Sequence, residues 1–218
     1  MLKFYHVSLS SNSRRVWILL LEKGLEFEDI RMKLDGDQFT PEYLALNPFH
    51  HIPVLSDDGF NIIESLAIMD YLEAKYPTPS FTPTDAKALA TMRMLQMVSV
   101  NELLPTLFPI LCKKIGVAED KGGPFEPAKE QAGKVLEFYQ KYLGDNPYLV
   151  GNELTLADFV GVTIFLDLKS MDFPVGNYPK LQAWCDRLME RESVQKSTPT
   201  PEEIKAAHVF VKNMIEGS

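Results

Sequence analysis

The sequence predicts an α/β domain at residues 1–77 followed by an all-helical domain at residues 85–218. Segments with the composition of β-strands occur only in the first part of the chain. The stretch 76–83 contains three prolines, which disfavour regular structure and indicate a linker. Beyond residue 85, apolar residues recur at helical spacing, and no alternation typical of a strand is convincing.

In the first domain, strand-like runs alternate with runs typical of amphipathic helices. The polar loop 8–13, rich in helix-capping side chains, separates the first strand from the first helix, and Gly24 ends that helix. The predicted elements are a strand at 2–7, a helix at 14–23, a strand at 26–32 and a short helix at 40–46. Because strand–helix–strand crossovers in one sheet are right-handed, we expect the first two strands to be parallel.

Residues 47–65 form the module around which the first domain is organised. It contains an extended run, a tight turn, a returning strand and a helix start, at 52–55, 57–59, 60–63 and 64–65. Before a central strand, a proline such as Pro53 is tolerated only at the first strand residue or at an edge. If the Ile52–Pro53 bond is cis, the N–H and C=O of Ile52 are unpaired by the sheet, and an extended peptide ligand can bind them.

The second domain is predicted to consist of helices joined by loops. They lie at 86–111, 128–143, 154–168, 178–191 and 202–215. Pro105 and Pro109 should kink or end the first of them. Thr155 and Asp158 have the spacing of a capping box, for which we expect a role in folding and none in catalysis.

Charge and cysteine content exclude several classes of function. The 218-residue chain carries 22 basic and 30 acidic side chains, a net charge of −8, which argues against nucleic acid as the main partner but not against a small anionic ligand. The two cysteines, Cys112 and Cys185, form no CxxC pair, which excludes a dithiol redox site and a zinc knuckle. We expect both thiols to be buried. With neither a signal peptide nor an apolar run long enough to span a bilayer apparent, we expect a reducing cytosol.

Five motifs, taken in order and at their spacing, resemble the cytosolic glutathione transferases over essentially the whole chain. They are Ser10 with Arg15-Val16, Asn47-Pro48-Phe49 running into Ile52-Pro53, the run 64–68, the run 154–158, and the run 178–181 before Trp184. The serine in the first loop is most similar to the theta, phi, zeta and bacterial members. The resemblance implies a thioredoxin-like first domain that binds glutathione and a helical second domain that contributes the site for an electrophile.

Ser10 is the candidate catalytic residue. Considered as a residue alone, it is better explained as the N-cap of the following helix. The resemblance implies instead that its hydroxyl donates a hydrogen bond to the glutathione sulfur and favours the thiolate. Ser11 is the nearest rival, and Tyr5 is a weaker one. Family members that act through a mixed disulfide have cysteine at the Ser10 position, so the resemblance disfavours thiol reduction here.

The resemblance also assigns residues to the two ends of glutathione. Glu64 and Ser65 would hold the γ-glutamyl group, with a simple N-cap role for Ser65 as the alternative. Ile52 would pair with the cysteinyl part beside a cis Pro53, which is otherwise an ordinary edge-strand proline. The glycyl end would meet His51 and Gln38, while Phe39 stands where some members carry lysine. His50 is better explained as a solvated loop residue.

For the electrophile, the family places a pocket between its two domains. Its lining here would be Leu9, Asn101, Leu104, Pro105 and Phe108. An apolar lining suits hydrophobic electrophiles such as aryl halides, isothiocyanates or organic peroxides. The resemblance implies a detoxifying cytoplasmic homodimer that uses glutathione as co-substrate, with neither metal nor other cofactor. A non-catalytic glutathione- or ligand-binding protein of this fold, and a glutathione-dependent dehalogenase or isomerase, remain alternatives.

Overall fold

The structure is a computed structural model that describes residues 1–33 and 36–217. It divides into two units, the first formed by Met1–Phe81 with Glu192–Thr198 and the second by Thr82–Arg191 with Pro199–Ser218. The strands are β1 Leu2–His6, β2 Phe27–Arg31, β3 Val54–Asp57 and β4 Phe60–Ile63. The helices are α1 Ser11–Glu22, α2 Pro41–Leu44, α3 Ser65–Lys75, α4 Ala86–Val98, α5 Leu107–Ile115, α6 Glu119–Gly122, α7 Phe125–Leu143, α8 Leu156–Ser170, α9 Pro179–Met189, α10 Glu192–Ser197 and α11 Pro201–Glu216.

In the first unit, four strands form one sheet in the order β2-β1-β3-β4. β1 and β2 are parallel, which confirms the predicted parallel pairing, and the other two pairs are antiparallel. α1 and α3 contact each other. Phe4, Leu55, Ile18 and Ile68 are fully buried in this unit. α10, which the sequence analysis did not predict, packs against α1.

The register of the sheet brings three loops together at one end. Tyr5 of β1 lies opposite Val54 of β3, and Val54 lies opposite Ile63 of β4. Because both pairings are antiparallel, the chain leaves β1, enters β3 and leaves β4 at the same end of the sheet. The loop with Ser10, the Ile52–Pro53 peptide and the helix start at Ser65 therefore emerge at this end.

The second unit contains helices and no strand in the part of the chain that the structure describes. α8 is its most deeply placed helix, with every residue from Leu156 to Phe165 buried. The predicted capping box is present. The Thr155 side chain accepts a hydrogen bond from the Asp158 N–H, and the Asp158 carboxylate accepts one from the Thr155 N–H. Both cysteines are free and buried, as expected. α6 occupies a stretch for which the sequence analysis predicts a loop.

Helices α4 and α5 are two parts of one interrupted helical stretch. A π-helical turn at Ser99–Leu103 and a 3₁₀ turn at Leu104–Thr106 join them, with Pro105 in the 3₁₀ turn. This change of winding is the interruption that the prolines predicted. A π-helical turn inside a helix is a recurrent feature of functional sites.

The stretch Ala86–Ile115 corrects one expectation. It is long and apolar enough to cross a membrane by length and composition, with a mean hydropathy of 1.3 over its most apolar window, of which 39% is buried. The helical winding continues through Pro105 and Pro109, so the stretch forms a single helical run of 30 residues. The stretch packs against α7 and α8, and a core helix of a helical domain passes the same test of length and composition.

Candidate active site

Ser10 is the N-cap of α1, and its side chain is half-buried. Its Oγ accepts a hydrogen bond from the Ser13 N–H at 3.3 Å. α1 therefore starts three residues before the predicted helix, because Ser10 rather than a later polar residue caps it. A hydroxyl has one proton and two acceptor sites, so the capping bond leaves the Ser10 proton able to donate to a ligand. Capping and catalysis are thus compatible roles.

The two rivals of Ser10 occupy different environments. Ser11 is only 6% exposed and is the first helical residue of α1, where its carbonyl accepts from the Arg15 Nε at 3.3 Å. Tyr5 lies on β1, and its ring contacts that of Tyr43 with centroids 6.3 Å apart. Ser10 is therefore the more accessible of the two serines.

The Ile52–Pro53 peptide bond is cis and lies directly before β3, the strand between β1 and β4. Within residues 1–33 and 36–217, neither the N–H nor the C=O of Ile52 has a hydrogen-bond partner. Both groups therefore remain able to bind an extended peptide, as the sequence analysis predicts for a cis bond.

The start of α3 differs from one sequence-based alternative. Glu64, not Ser65, occupies the N-cap position, and no side chain caps the helix. The 7% exposed Ser65 is the first helical residue, so a simple N-cap role for Ser65 is wrong. Glu64 is exposed and has a positive φ of 68°, a conformation that few residues other than glycine adopt. No side chain caps α3 and its first turn contains no acidic residue, so the positive end of the helix is open to an anionic group beside Glu64.

Gln38 and His51 lie on neighbouring segments. The ring of Phe39 stands 5.0 Å from that of His50, which in turn stands 5.6 Å from that of His51. The Oε1 of Gln38 is buried and has no partner among the described residues, whereas the His51 side chain is exposed. Between Lys33 and Lys75 the sequence contains neither lysine nor arginine. A carboxylate bound by this segment of the chain would therefore rely on imidazoles, N–H groups and helix ends.

Two side chains that the sequence analysis did not single out converge on the His51 carbonyl. The Tyr43 hydroxyl and the Asn47 Nδ2 each donate to it at 2.8 Å. Tyr43 is 3% exposed and Asn47 is 1% exposed. Asn47 lies within a recognised motif, but nothing local in the sequence indicates that Tyr43 reaches eight residues along the chain.

The residues predicted to line the electrophile pocket are distributed over both units. Leu9 is half-buried in the loop after β1. In the second unit, Leu104 is half-buried, and Asn101, Pro105 and the 48% exposed Phe108 are accessible. Asn101 lies in the π-helical turn, Leu104 and Pro105 lie in the 3₁₀ turn, and Phe108 lies in the first turn of α5. Their assignment to a single pocket with Leu9 stays a prediction.

Comparison with protein families identifies the chain. A model described as the N-terminal domain of glutathione S-transferase matches residues 4–80, and one described as the C-terminal domain matches residues 103–192. The chain belongs to the glutathione S-transferase family. The family and the fold class predicted from the motifs are thereby confirmed, and membership of the glutathione S-transferases supports transferase activity.

Individual relatives agree with this assignment. The chain is 34% identical over 206 residues to glutathione S-transferase 3 of Zea mays, covering 90% of this chain and 92% of the relative. It is 30% identical over 209 residues to maleylacetoacetate isomerase of Mus musculus, covering 92% and 96%. Among solved structures, glutathione transferase F7 of Populus trichocarpa matches with a TM-score of 0.78 at 28% identity, covering 90% and 97%. A delta-class glutathione transferase of Nilaparvata lugens matches with a TM-score of 0.84 at 26% identity, covering 98% and 100%.

Proposed function

We propose that this glutathione S-transferase binds glutathione at the sheet end described above and activates its thiol for attack on hydrophobic electrophiles. The observation that carries the proposal is the convergence of the Ser10 loop, the cis Ile52–Pro53 peptide and the start of α3. These features offer a hydroxyl, an unpaired backbone edge and a positive helix end. A tripeptide thiol with an acidic head group complements all three.

The γ-glutamyl group binds at the start of α3. Its α-carboxylate accepts from the N–H and hydroxyl of Ser65, where the helix end favours negative charge. The exposed carboxylate of Glu64 takes the ammonium group. The cysteinyl part pairs with the free backbone groups of Ile52 as an antiparallel strand would. At the glycyl end, His51 and Gln38 are the polar contacts, because lysine and arginine do not occur between residues 33 and 75.

The chemistry is the conversion of thiol to thiolate, followed by attack of sulfur on the electrophile. A free thiol has a pKa of about 8.5, and lowering it by about two units requires roughly 2.7 kcal/mol of differential stabilisation. A hydrogen bond from Ser10 to the charged sulfur contributes roughly 1.5–3 kcal/mol. The start of α1 adds roughly 0.3–1 kcal/mol. These two contributions together reach the requirement, so the mechanism needs no general base.

The decisive experiment is an ultraviolet titration of glutathione bound to the protein. The expected result is a thiolate absorbance with an apparent pKa well below that of free glutathione, accompanied by turnover of an aryl halide. An unshifted thiol without turnover would contradict the proposal and support the non-catalytic binding protein. Ser10→Ala should abolish the shift, and Ser11→Ala should preserve it.

A second candidate function is a glutathione-dependent isomerisation. The 30% identity to a maleylacetoacetate isomerase favours it, and the same thiolate would start that reaction. A panel of purified electrophiles that includes aryl halides, alkyl halides and a cis-alkene diketo acid separates transferase, dehalogenase and isomerase. The largest kcat/KM in the panel assigns the reaction.

We further propose that the protein is a cytoplasmic homodimer, as is typical of this family. The exposed ring of Phe60, 5.9 Å from that of Tyr71, offers an apolar surface on the first unit that suits a partner subunit. Sedimentation analysis should give a mass near twice the 24.7 kDa of the chain. A monomer at micromolar concentration would contradict the proposal.

A further inference from the structure

The segment Asn47–His51 is held in one conformation by Asn47. Its carbonyl accepts from the His50 N–H at 3.0 Å, and its Oδ1 accepts from the Phe49 N–H at 3.0 Å. Its Nδ2 donates to the His51 carbonyl. An asparagine that bonds the backbone two residues along forms an Asx turn, which suits the positive φ of 51° at His50. One buried side chain therefore determines the path of the loop that enters the site.

Tyr43 reaches the same carbonyl from α2. The Thr40 side chain caps this short helix by accepting from the Tyr43 N–H at 3.3 Å, and the Asn47 N–H bonds the Tyr43 carbonyl at 2.9 Å. Burial raises the pKa of the Tyr43 phenol, so it stays protonated and able to donate throughout the physiological range. With two donors at 2.8 Å, both acceptor sites of the His51 carbonyl are occupied.

The two hydrogen bonds to the His51 carbonyl also affect the next residue, Ile52. The His51 C=O and the Ile52 N–H belong to one planar peptide unit, and in a trans unit they point in opposite directions. The described cis bonds are Ile52–Pro53 and Thr78–Pro79, so the unit between His51 and Ile52 is trans. Tyr43 and Asn47 hold the carbonyl on their own side, and this directs the Ile52 N–H away from them. That N–H is one of the two groups of Ile52 without a partner among the described residues.

We propose that Tyr43 and Asn47 are positioning residues for glutathione. Acting through the His51 carbonyl, they fix the direction of the Ile52 N–H before the ligand arrives, so that the cysteinyl segment meets a backbone edge already in its binding geometry. The inference rests on the proposed glutathione site. Its energetic effect is on ligand affinity, since preorganisation reduces the entropy lost on binding. Neither side chain acts on the sulfur.

The test compares variants that remove one donor each. Tyr43→Phe removes only the hydroxyl, and Asn47→Asp keeps the acceptor for the Phe49 N–H while replacing the amide donor by an oxygen. We expect the KM for glutathione to rise about tenfold in Tyr43→Phe and further in Asn47→Asp, in which two oxygens face each other. At saturating glutathione, kcat should stay within twofold of the value for the unaltered protein. The apparent pKa of the bound thiol should be unchanged within experimental error.

Tyr71→Phe is the matched control. It also removes a phenol hydroxyl from the first unit, where Tyr71 donates to Asp57 at 2.6 Å, away from the loop that enters β3. It should leave the KM for glutathione unchanged. An unchanged KM in both Tyr43→Phe and Asn47→Asp overturns the inference while leaving the glutathione site intact. A combined loss of kcat and of thermal stability beyond that of Tyr71→Phe would make Tyr43 a purely structural residue and equally overturns it.

The outcome also separates this inference from the proposed function. If the unaltered protein shows no saturation with glutathione, the proposed function fails and this inference fails with it. If the unaltered protein saturates and only the loop variants lose affinity, both are supported. Isothermal titration with S-methylglutathione, which has no ionisable thiol, measures the affinity without any contribution from sulfur chemistry, and the same increase is expected in its dissociation constant.

Discussion

The starts of α8 and α3 differ in how their backbone N–H groups are satisfied: α8 begins with a buried capping box, whereas α3 begins without a side-chain cap. At α8, the buried carboxylate of Asp158 accepts from the Leu149 and Thr155 N–H groups and from the Trp184 Nε1, each at 2.9 Å. At α3, the first turn has no side-chain cap and no acidic residue. The exposed Glu64 precedes it in a strained conformation.

The difference distinguishes a helix start that serves folding from one that serves binding. The first turn of every helix contains N–H groups without partners inside the helix, and something must satisfy them. At α8 the buried Thr155 side chain accepts from the Asp158 N–H of the first turn, and the Asp158 carboxylate in return holds the Thr155 backbone. At α3 the groups are left for water or for a ligand, at some cost to stability. Variants at the two starts should therefore affect different measurements.

The largest effect is expected at α8. Asp158→Ala leaves three buried N–H groups without an acceptor, each of which costs roughly 1–3 kcal/mol. Because such costs are not additive, we expect the free energy of unfolding to fall by about 4 kcal/mol, measured by urea denaturation. The KM for glutathione of the remaining folded protein should stay unchanged. A selective rise in that KM would show that the start of α8 also serves glutathione binding.

Ser10→Ala should have the next largest effect, now on catalysis. The loss of the hydrogen bond to the thiolate should lower kcat/KM by roughly 10–1000-fold, equivalent to about 1.4–4 kcal/mol. Since Ser10 is also the cap of α1, the unfolding free energy should drop by about 1 kcal/mol. Ser11→Ala is the comparison, and if it causes the larger catalytic loss, the assignment is displaced by one residue.

Substitutions of Glu64 can separate an effect on glutathione binding from an effect on protein stability. Glu64→Gly removes the carboxylate proposed to hold the ammonium group and also relieves the positive φ of 68°. We expect the KM for glutathione to rise about tenfold and the unfolding free energy to increase by about 1 kcal/mol. Glu64→Ala removes the same carboxylate without relieving the backbone, so it should show the rise in KM alone. A stabilised Glu64→Ala would mean that backbone strain is not the cause.

The smallest predicted effect concerns pH. His6 is fully buried against Phe4 and Trp17, and burial lowers the pKa of its imidazole although the bond to Asp29 opposes the shift. The unfolded chain then binds more protons than the folded one below about pH 6.5, so stability is present above that pH and falls as pH decreases. Thermal unfolding at pH 7 and pH 5 measures the loss, and His6→Phe should reduce the difference. An unaltered pH dependence in His6→Phe would assign it to other groups.

Local patterns in the sequence were sufficient for much of this fold. The Thr155–Asp158 spacing predicted the capping box, because that signal acts within a few residues, whereas the cis bond before Pro53 was implied by the family resemblance. The pair Glu64-Ser65 was expected at the start of α3, where it lies, but the alternative of Ser65 as the N-cap is one position off, since the positive φ of Glu64 is set by its surroundings and has no signature in the sequence. α10 was missed because six residues without a long apolar pattern give little periodicity.

By itself, the sequence determined the order of the four strands and of most helices, the family, and the residue types available for glutathione: a hydroxyl, a proline before a strand and a polar pair before a helix. Only the tertiary structure decided that these three segments leave the sheet at one end, and that Tyr43 and Asn47 meet on the His51 carbonyl. The reason is physical. Hydrophobic periodicity and capping act between chain neighbours, whereas strand register and buried side-chain hydrogen bonds depend on how distant segments pack.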